Sequence, residues 1–463
     1  MTIEEILNSG LTAGEKIAVL SEKTLNVPAW LGRNGLEQEY NPKKHPVMSK
    51  SKYPDVVTDE GVVPVTRIAL SFQRLAAKRM TELVTGIPIK RVYKPKNDKQ
   101  KEVAAFLESI YDRTRIDSVN VDRFKRLYAC CEIMTLWYAV EQPNNLYNGV
   151  KSQLKLRCRT YCPMNGDELY PLFDEYGDMI AMSIGYTRKV GKKSVKFFDC
   201  YSSSKHVKWS NDTGEWAEVE NEDITLAKIP AIYSYREEPI WEDTSNMVYE
   251  MEWSLSRNGN YLRENSKPLF AVFADEQISY GDEKSGDKEF KSVLQYPKGS
   301  TAGYITWQQS IESLKYQTSE LRNLYFTTLQ LPDWSYEKMS QVALSGESRK
   351  QLFIDSQLKV KDEKGALIEF LGRETNVLKE FAKVILGESY AADIEALSVE
   401  QVITPFSISD DKDETNNLIT ANGGKPLMSH RESIELYGKS DDVDKTLEEI
   451  RADEKFDAFS LTE

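Results

Sequence analysis

The stretch KIPAIYSYREEPIWEDTSNMVYEMEWSL (Lys228–Leu255) passes from a strand pattern into a helix pattern. Residues 151–235, on its amino-terminal side, form a β-rich block in which SQLKLRCRT alternates apolar and basic side chains. Turns are predicted at Glu175–Asp178 and Asn211–Gly214. From Asp243 onward, apolar residues recur at helical spacing. Strands followed by helices, with more helices before the block, predict an α+β fold.

Other segments of the sequence predict further helices, strands and an extended arm. A capping box of Ser429 and Glu432 predicts a helix that ends at Gly438, and Asn41–Asp55, with its prolines and lysines, predicts an extended arm. Lys267–Trp307 has strand-like patterning with charged turns, and Gln401–Ile408 is predicted as a strand. Further helices are predicted from Pro64 to Gly86, over Lys101–Tyr111, Val119–Ile133, Gln309–Leu331 (capped by Thr306 and Gln309), Gly346–Leu358, Gly365–Leu386 and Val443–Glu454.

Length and charge narrow the classes of function. A chain of 463 residues exceeds one ordinary domain. Its net charge of −13 argues against a sequence-reading DNA binder, which carries a basic face. The same charge is compatible with a protein that surrounds DNA without binding it tightly, because an acidic wall repels the DNA phosphates. No membrane span or signal peptide is evident in the sequence, so we expect synthesis and use in a cytoplasm.

Enzymatic chemistry finds little support. The stretch Gly185–Ser194 resembles a phosphate-binding loop, but its spacing is one residue too long, Lys193 replaces the Ser or Thr, and it falls within a hairpin. Cys158 and Cys162 have no neighbouring histidine, which disfavours zinc. The acidic run Asp410–Glu414 fits no EF-hand and is interpreted as a helix-terminal acid cluster, with a bound cation left as a lesser alternative. We therefore predict no enzyme, no cofactor and no metal.

Several strings, taken in order, resemble the portal proteins of tailed double-stranded DNA bacteriophages, of the siphophage type. LVTGIPI follows the first long helix, PMNGDELYPLFDEYGD lies in the β-rich block, and the stretch quoted above leads into a long helix. LYFTTLQLPDW ends a second long helix, ALSG opens the next helices, and ITPFSISDDKDE precedes NGGKPLMSHRES near the end. The resemblance runs from about Val65 to Arg451, and residues 1–60 match nothing in it.

The resemblance implies a portal fold with a β-rich wing, a two-helix stem, a small clip and a C-terminal helical crown. The corresponding segments are a wing with an N-terminal arm (1–242), a first stem helix (243–266), a clip (267–308), a second stem helix (309–332), a tunnel loop with wing helices (333–408) and a crown (409–463).

The resemblance also implies a role and partners. It implies a dodecameric ring at the capsid portal vertex of the virion, assembled in the host cytoplasm. Double-stranded DNA passes through that ring independently of sequence. Expected partners are the terminase large subunit, the major capsid protein, the scaffolding protein and a head-completion or adaptor protein. Other phage connector ring proteins, a bacterial protein descended from a prophage, and a nucleotide-dependent enzyme remain alternatives.

Candidate site residues follow from the same resemblance. The tunnel loop is expected to touch DNA in the channel, with Lys338 as the phosphate contact, although a solvated connection with one lysine is the simpler interpretation. Charged clip residues are expected to dock the motor, although most charge runs are only solvated. The tunnel-loop set is Ser335, Lys338, Ser340 and Gln341, and the clip set is Asp275, Glu276, Asp282, Glu283 and Lys284.

Overall fold

Helices and antiparallel sheets alternate along the chain, as predicted for an α+β protein. The computed structural model describes residues 3–59, 61–264, 269–273, 301–305, 311–333, 354–406, 429–437 and 443–460. The chain divides into two compact units. One comprises Met1–Asp333 with Asp355–Phe406, and the other comprises Trp334–Ile354 with Ser407–Glu463.

The helices of the described residues range from one turn to nine. They are α1 (Ile3–Leu7), α2 (Ala13–Leu20), α3 (Leu36–Tyr40), α4 (Phe72–Thr85), α5 (Asp98–Thr114), α6 (Ile116–Cys130), α7 (Ser245–Glu264), α8 (Ile311–Leu329), α9 (Ile354–Leu386), α10 (Ala391–Ala396), α11 (His430–Tyr437) and α12 (Val443–Ser460). Short 3₁₀ turns occur at Pro42–Lys44, Pro46–Met48, Pro163–Asn165, Glu242–Thr244 and Glu388–Tyr390.

All strand pairs of the described residues are antiparallel. The strands are β1 (Val56–Thr58), β2 (Gly61–Val63), β3 (Lys90–Lys94), β4 (Glu132–Tyr147), β5 (Val150–Tyr161), β6 (Glu168–Phe173), β7 (Met179–Val190), β8 (Lys193–Ser202), β9 (Lys205–Ser210), β10 (Ala217–Asp223), β11 (Ala231–Tyr235), β12 (Leu269–Phe273), β13 (Thr301–Ile305) and β14 (Ser398–Val402). They form sheets ordered β10-β9-β8-β7-β6 and β11-β4-β5, together with the pairs β1-β2, β12-β13 and β14-β3.

Two apolar clusters hold the large sheets. On one, the amino-terminal helices α1 and α2 contribute Ile6 and Leu20, which pack with Phe198 and Trp209 of β8 and β9. The other cluster joins the three-stranded and five-stranded sheets. Its buried members are Met134, Leu136, Tyr161, Leu169, Met182, Ile184, Tyr186, Ala231 and Tyr233. The predicted turns at Glu175–Asp178 and Asn211–Gly214 connect β6 to β7 and β9 to β10, which confirms both hairpins.

Several predicted boundaries are wrong. The first long helix starts at Phe72 rather than at Pro64, and Pro64–Ser71 is not helical. The helix predicted to end at Ile133 ends at Cys130, because Cys131 adopts a left-handed conformation (φ 62°) that turns the chain into β4. The strand predicted at Gln401–Ile408 is instead β14, which begins three residues earlier, ends at Val402 and pairs with β3.

Two further interpretations are corrected. Residues 354–386 form one helix of 33 residues instead of two separate helices, and Gly365 lies within it. The predicted extended arm, Asn41–Asp55, contains two 3₁₀ turns, and the side chain of Val47 in the second turn is fully buried. Asn41 caps the first turn by accepting from the Lys43 amide, so proline at the start of each turn favours a turn over an extended chain.

The second unit contributes two described helices. The predicted capping box is confirmed, since Ser429 Oγ accepts from the Glu432 amide at 3.2 Å while Glu432 Oε2 accepts from the Ser429 amide at 3.0 Å. The side chain of Arg431 on α11 forms an ion pair with Asp444 on α12 at 2.8 Å.

Candidate functional site

The helices α7 and α8 form an antiparallel pair. They contact each other, and α8 also contacts the Glu242–Thr244 turn that precedes α7, where Tyr325 near the carboxyl end of α8 hydrogen-bonds Thr244. At the opposite end, β12 follows α7, and it pairs antiparallel with β13, which precedes α8. The pair is therefore a two-helix rod with a β-ribbon at one end, which we call its distal end.

The other end of the rod, its base, is packed into the core. Val248 of α7 and Tyr325 of α8 are completely buried. The Tyr325 ring lies 5.0 Å from the Phe72 ring at the start of α4, and its hydroxyl donates to the Phe72 carbonyl oxygen at 2.7 Å. Burial raises the pKa of Tyr325, so its phenol stays protonated and keeps this hydrogen bond.

Apolar side chains become exposed toward the distal end. Tyr316 of α8 is 72% exposed, and Leu262 of α7 is 53% exposed. Most other α8 side chains between Glu312 and Glu320 are also exposed. The described residues of a single copy thus leave this half of the rod largely uncovered.

An extended segment, Val65–Leu70, runs along α7 and is held by a ladder of hydrogen bonds. The Leu70 amide donates to Glu252 Oε1 at 2.7 Å, and the Ile68 amide donates to Ser256 Oγ at 2.9 Å. The Thr66 amide donates to Asn260 Oδ1. Alternate residues of the segment therefore meet helix residues spaced four apart.

The geometry of the two backbones explains this match. Two extended residues advance about 6.6 Å and four helical residues advance about 6 Å, so the two repeats stay nearly in step over three rungs. Gly259 permits the close approach, because a Cβ there would lie 2.8 Å from Thr66 Cγ2. The ladder satisfies backbone amides that would otherwise remain unpaired in a partly buried segment.

A buried His–Glu pair anchors the amino-terminal region to the same helix. Glu252 and His45 are both fully buried, and His45 Nδ1 lies 2.6 Å from Glu252 Oε1. His45 Nε2 lies 2.6 Å from the carbonyl oxygen of Glu39, which can only accept, so Nε2 carries a proton. The Nδ1–Oε1 contact is the second hydrogen bond of the His45 ring, so both ring nitrogens are paired within the core.

An ion pair of Asp55 and Arg67 joins the two chain segments that flank the β1–β2 hairpin. Arg67 Nη1 lies 2.8 Å from Asp55 Oδ1, which also accepts from the Val65 amide at 3.2 Å. The hydrogen bond from Arg67 lowers the pKa of Asp55, and the bond from the Val65 amide lowers it further. The carboxylate therefore stays charged and holds the two ends of the β1–β2 hairpin together.

The predicted tunnel-loop and clip residues fall outside the described parts of the chain. Ser335, Lys338, Ser340 and Gln341 lie within 334–353, and Asp275, Glu276, Asp282, Glu283 and Lys284 lie within 274–300. The predicted cap of Thr306 and Gln309, and the acidic run Asp410–Glu414, are outside as well. These residues remain predictions.

The glycine stretch that resembles a nucleotide loop is a hairpin turn, as predicted. Gly191, with φ 64°, lies in the turn between β7 and β8, where Val190 pairs with Lys193. The lysines at this turn are exposed. Among the described residues, no three His, Cys, Asp or Glu side chains are grouped to hold a metal ion, and no helix is long and apolar enough to cross a membrane.

Sequence reasoning missed the polar face of α7. Glu252, Ser256 and Asn260 are four apart, a spacing that places them on one side of a helix. Their regular interval could have shown a polar stripe beside the apolar one formed by Val248 and Met251. The sequence holds no signal that their partners would be backbone amides at positions 66–70.

Comparison with known proteins places these elements in a family. Residues 34–458 match the family model described as "Phage portal protein, SPP1 Gp6-like", and this match spans most of the 463-residue chain. The chain belongs to the SPP1 Gp6-like family of phage portal proteins. Membership in this portal family confirms the resemblance seen in the sequence. The match begins at residue 34, so the expectation that residues 1–60 match nothing is wrong for residues 34–60.

The SPP1 Gp6-like portal family is structural rather than enzymatic, and membership supports a portal or connector role at the portal vertex of a phage. Among solved structures, a chain from the neck of an empty GTA particle, computed with C6 symmetry, has a TM-score of 0.42 and 10% sequence identity. The match covers 86% of this chain and 94% of that chain. No curated protein sequence matches significantly. The family assignment rests on the sequence match alone.

Proposed function

We propose that copies of this chain close into a dodecameric portal ring, through which double-stranded DNA enters the capsid during packaging and leaves during ejection. The family match over residues 34–458 carries this proposal. The two-helix rod supports it, because its base is buried while its distal half exposes apolar side chains such as Tyr316. Neighbouring rods in a ring would cover these side chains.

Each part of a portal subunit corresponds to one region of this chain in the proposal. We assign the wing to residues 1–242, the stem to α7 and α8, the clip to 267–308, and the tunnel loop with wing helices to 333–408. Residues 409–463 form the crown. We assign the β12–β13 ribbon to the part of the clip that joins the stem, since it pairs the chain segments that leave α7 and enter α8.

The channel wall would repel DNA more than it binds it. Each copy carries a net charge of −13, and a closed ring concentrates that charge around its axis. An acidic wall neutralises few phosphates and so releases few of the counterions condensed on the DNA, which lowers sequence-independent affinity and lets the duplex slide. Lys338 in the tunnel loop would be a local exception that touches the DNA backbone.

Partners would meet the ring at different heights. The charged clip residues would dock the terminase large subunit during packaging and a head-completion or adaptor protein afterwards. The wing would meet the major capsid protein and the scaffolding protein. Assembly would take place in the host cytoplasm before the ring enters the virion.

Mass photometry and negative-stain microscopy of the purified full chain test the proposal. We expect a closed ring with a central hole and no ATP turnover. A monomer or dimer that hydrolyses ATP would support the nucleotide-dependent enzyme instead. A connector that joins the head after packaging would also form rings, so the second test is genetic. Phage that lack this chain should make heads without DNA, and DNA-filled heads would exclude the portal role.

A further inference from the structure

The hairpin formed by β1 and β2 exposes an unusual amount of apolar surface. Val57 is 79% exposed and Val62 is 65% exposed, and they face each other across the hairpin. The adjacent pair, Val56 and Val63, is exposed as well. Every described residue of both strands is exposed. In the described residues, these strands pair only with each other.

This exposure is not the pattern of a surface hairpin. Successive residues of a strand point to opposite faces, so Val56 and Val57 place apolar side chains on both faces of the hairpin. A solvated strand normally alternates apolar and polar residues. An isolated two-stranded hairpin is at best marginally stable in water, and apolar edges invite pairing with other chains. The hairpin therefore needs a cover, which the described residues of a single copy do not supply.

The hairpin is fixed at a definite level of the rod. Its carboxyl end leads into Pro64, whose carbonyl oxygen accepts from Arg263 Nη1 at 3.1 Å, and into Thr66, whose amide donates to Asn260. At its amino end, the Tyr53 hydroxyl contacts Asn260 Nδ2. Since Asn260 and Arg263 are in the last turn and a half of α7, the hairpin lies at the distal end of the rod.

A second exposed apolar set lies at the same level. Helix α8 runs antiparallel to α7 and begins at the distal end, so Tyr316 lies in the same part of the rod as Leu262. Both side chains are more than half exposed. The large exposed ring of Tyr316 and the hairpin valines are thus two apolar surfaces, on different elements, at one end of the rod.

We infer that the β1–β2 hairpin of one copy packs on the distal apolar surface of the adjacent copy, against Tyr316 and Leu262. The inference rests on the proposed ring. A cyclic ring joins two different surfaces of the same chain at every interface. Rotation about the ring axis preserves height along it, so the two surfaces must lie at the same level when the rods run along the axis. The hairpin and Tyr316 meet this condition.

The double substitution V57D/V62D in the full chain tests the inference. It places two carboxylates at the most exposed facing pair of the hairpin, so we expect at least a tenfold loss of rings at a fixed protein concentration, measured by mass photometry. Circular dichroism should be unchanged, since neither valine is buried in the single copy. The matched control is V190D/V219D, which alters two valines that are also more than half exposed, at 52% and 53%, on β7 and β10. The control should form rings as the wild type does.

Cross-linking locates the contact. Chains carrying V57C and chains carrying Y316C are mixed, assembled and treated with a short bis-maleimide. We expect a linked pair of one chain of each kind, and none when either single variant is treated alone.

Rings that persist in V57D/V62D would overturn the inference but not the proposed ring. The same holds if the hairpin is found to bind a partner other than a second copy of the chain. V57C chains linked to each other would also overturn it, because that contact would join identical surfaces. A wild-type chain that forms no rings would instead remove the proposed function.

Discussion

Arg123 of α6 and Glu374 of α9, 251 positions apart in sequence, form two parallel hydrogen bonds of 2.6 and 2.8 Å in the interior. Both side chains are essentially inaccessible to solvent. Trp137 of β4 donates to the same carboxylate at 2.9 Å. The Glu374 carboxylate thus connects α6, α9 and strand β4 of the three-stranded sheet. The planar guanidinium of Arg123 fits the carboxylate bidentately.

Arg123→Met should destabilise the fold by about 3–5 kcal/mol, because it leaves the Glu374 carboxylate buried without its countercharge. Urea denaturation followed by tryptophan fluorescence measures the change. The exposed pair of Lys101 and Asp98 serves as the control, and Lys101→Met should cost less than about 1 kcal/mol. A loss below 1 kcal/mol for Arg123→Met would show that Glu374 is neutral or reached by water in the folded state.

Two helix-interior glycines should respond to alanine with opposite signs. A Cβ at Gly365 meets nothing within 4 Å, so Gly365→Ala should stabilise the chain by about 1 kcal/mol through helix propensity. A Cβ at Gly259 would lie 2.8 Å from Thr66 Cγ2, and the cost of this overlap should exceed the same gain. We expect Gly259→Ala to lower the midpoint of thermal unfolding.

Thr66→Ser supplies the rescue for that experiment, since serine lacks the Cγ2 methyl group. In the Gly259→Ala background it should recover most of the lost stability. If Gly259→Ala stabilised the chain as much as Gly365→Ala does, the close contact between the extended segment and α7 would be excluded.

Asp199 should make stability depend on pH. Burial raises its pKa to about 6, although the Tyr186 hydroxyl donates to Oδ2 at 3.0 Å and opposes that rise. The folded state therefore holds a proton that the unfolded state releases near pH 4. This contribution to stability is complete below about pH 4 and is lost as the pH rises through about 6, on the order of 3 kcal/mol in total.

Asp199→Asn isolates this contribution. We expect the unfolding free energy of the wild type to fall relative to that of Asp199→Asn as the pH rises across that range. Urea denaturation measures both. Tyr186→Phe removes the opposing hydrogen bond and should move the step to higher pH. A difference that does not vary with pH would mean that Asp199 ionises normally.

Lys338→Ala tests the proposed contact with DNA. If Lys338 touches the phosphate backbone in the channel, its loss should reduce the amount of DNA packaged or retained per head, which nuclease protection of the genome in purified particles measures. Lys192→Ala at the exposed β7–β8 turn is the matched control and should leave genome filling unchanged. Normal filling in Lys338→Ala would dismiss the lysine contact without affecting the ring.

The elements that could be predicted from sequence are those whose pattern is set by near neighbours. The alternation at Leu154–Arg159 became β5, and the capping box at Ser429 starts α11, because side-chain periodicity and caps act over a few residues. The rod helices α7 and α8 were predicted within about two residues at each described boundary for the same reason. The family resemblance arose from such local strings in order.

The remaining features depend on contacts between distant parts of the chain. Pro64–Ser71 has helical spacing, yet it is not helical, because its amides bind side chains of α7 nearly two hundred positions later. Gly365 suggests a break, yet α9 continues through it, since Glu363 binds Arg236 and Glu374 binds Arg123 on either side. The buried partner of His45 is equally invisible in the sequence. Local order comes from short-range sterics and hydrogen bonds, whereas these choices come from burial, which exists only once the distant segments have packed.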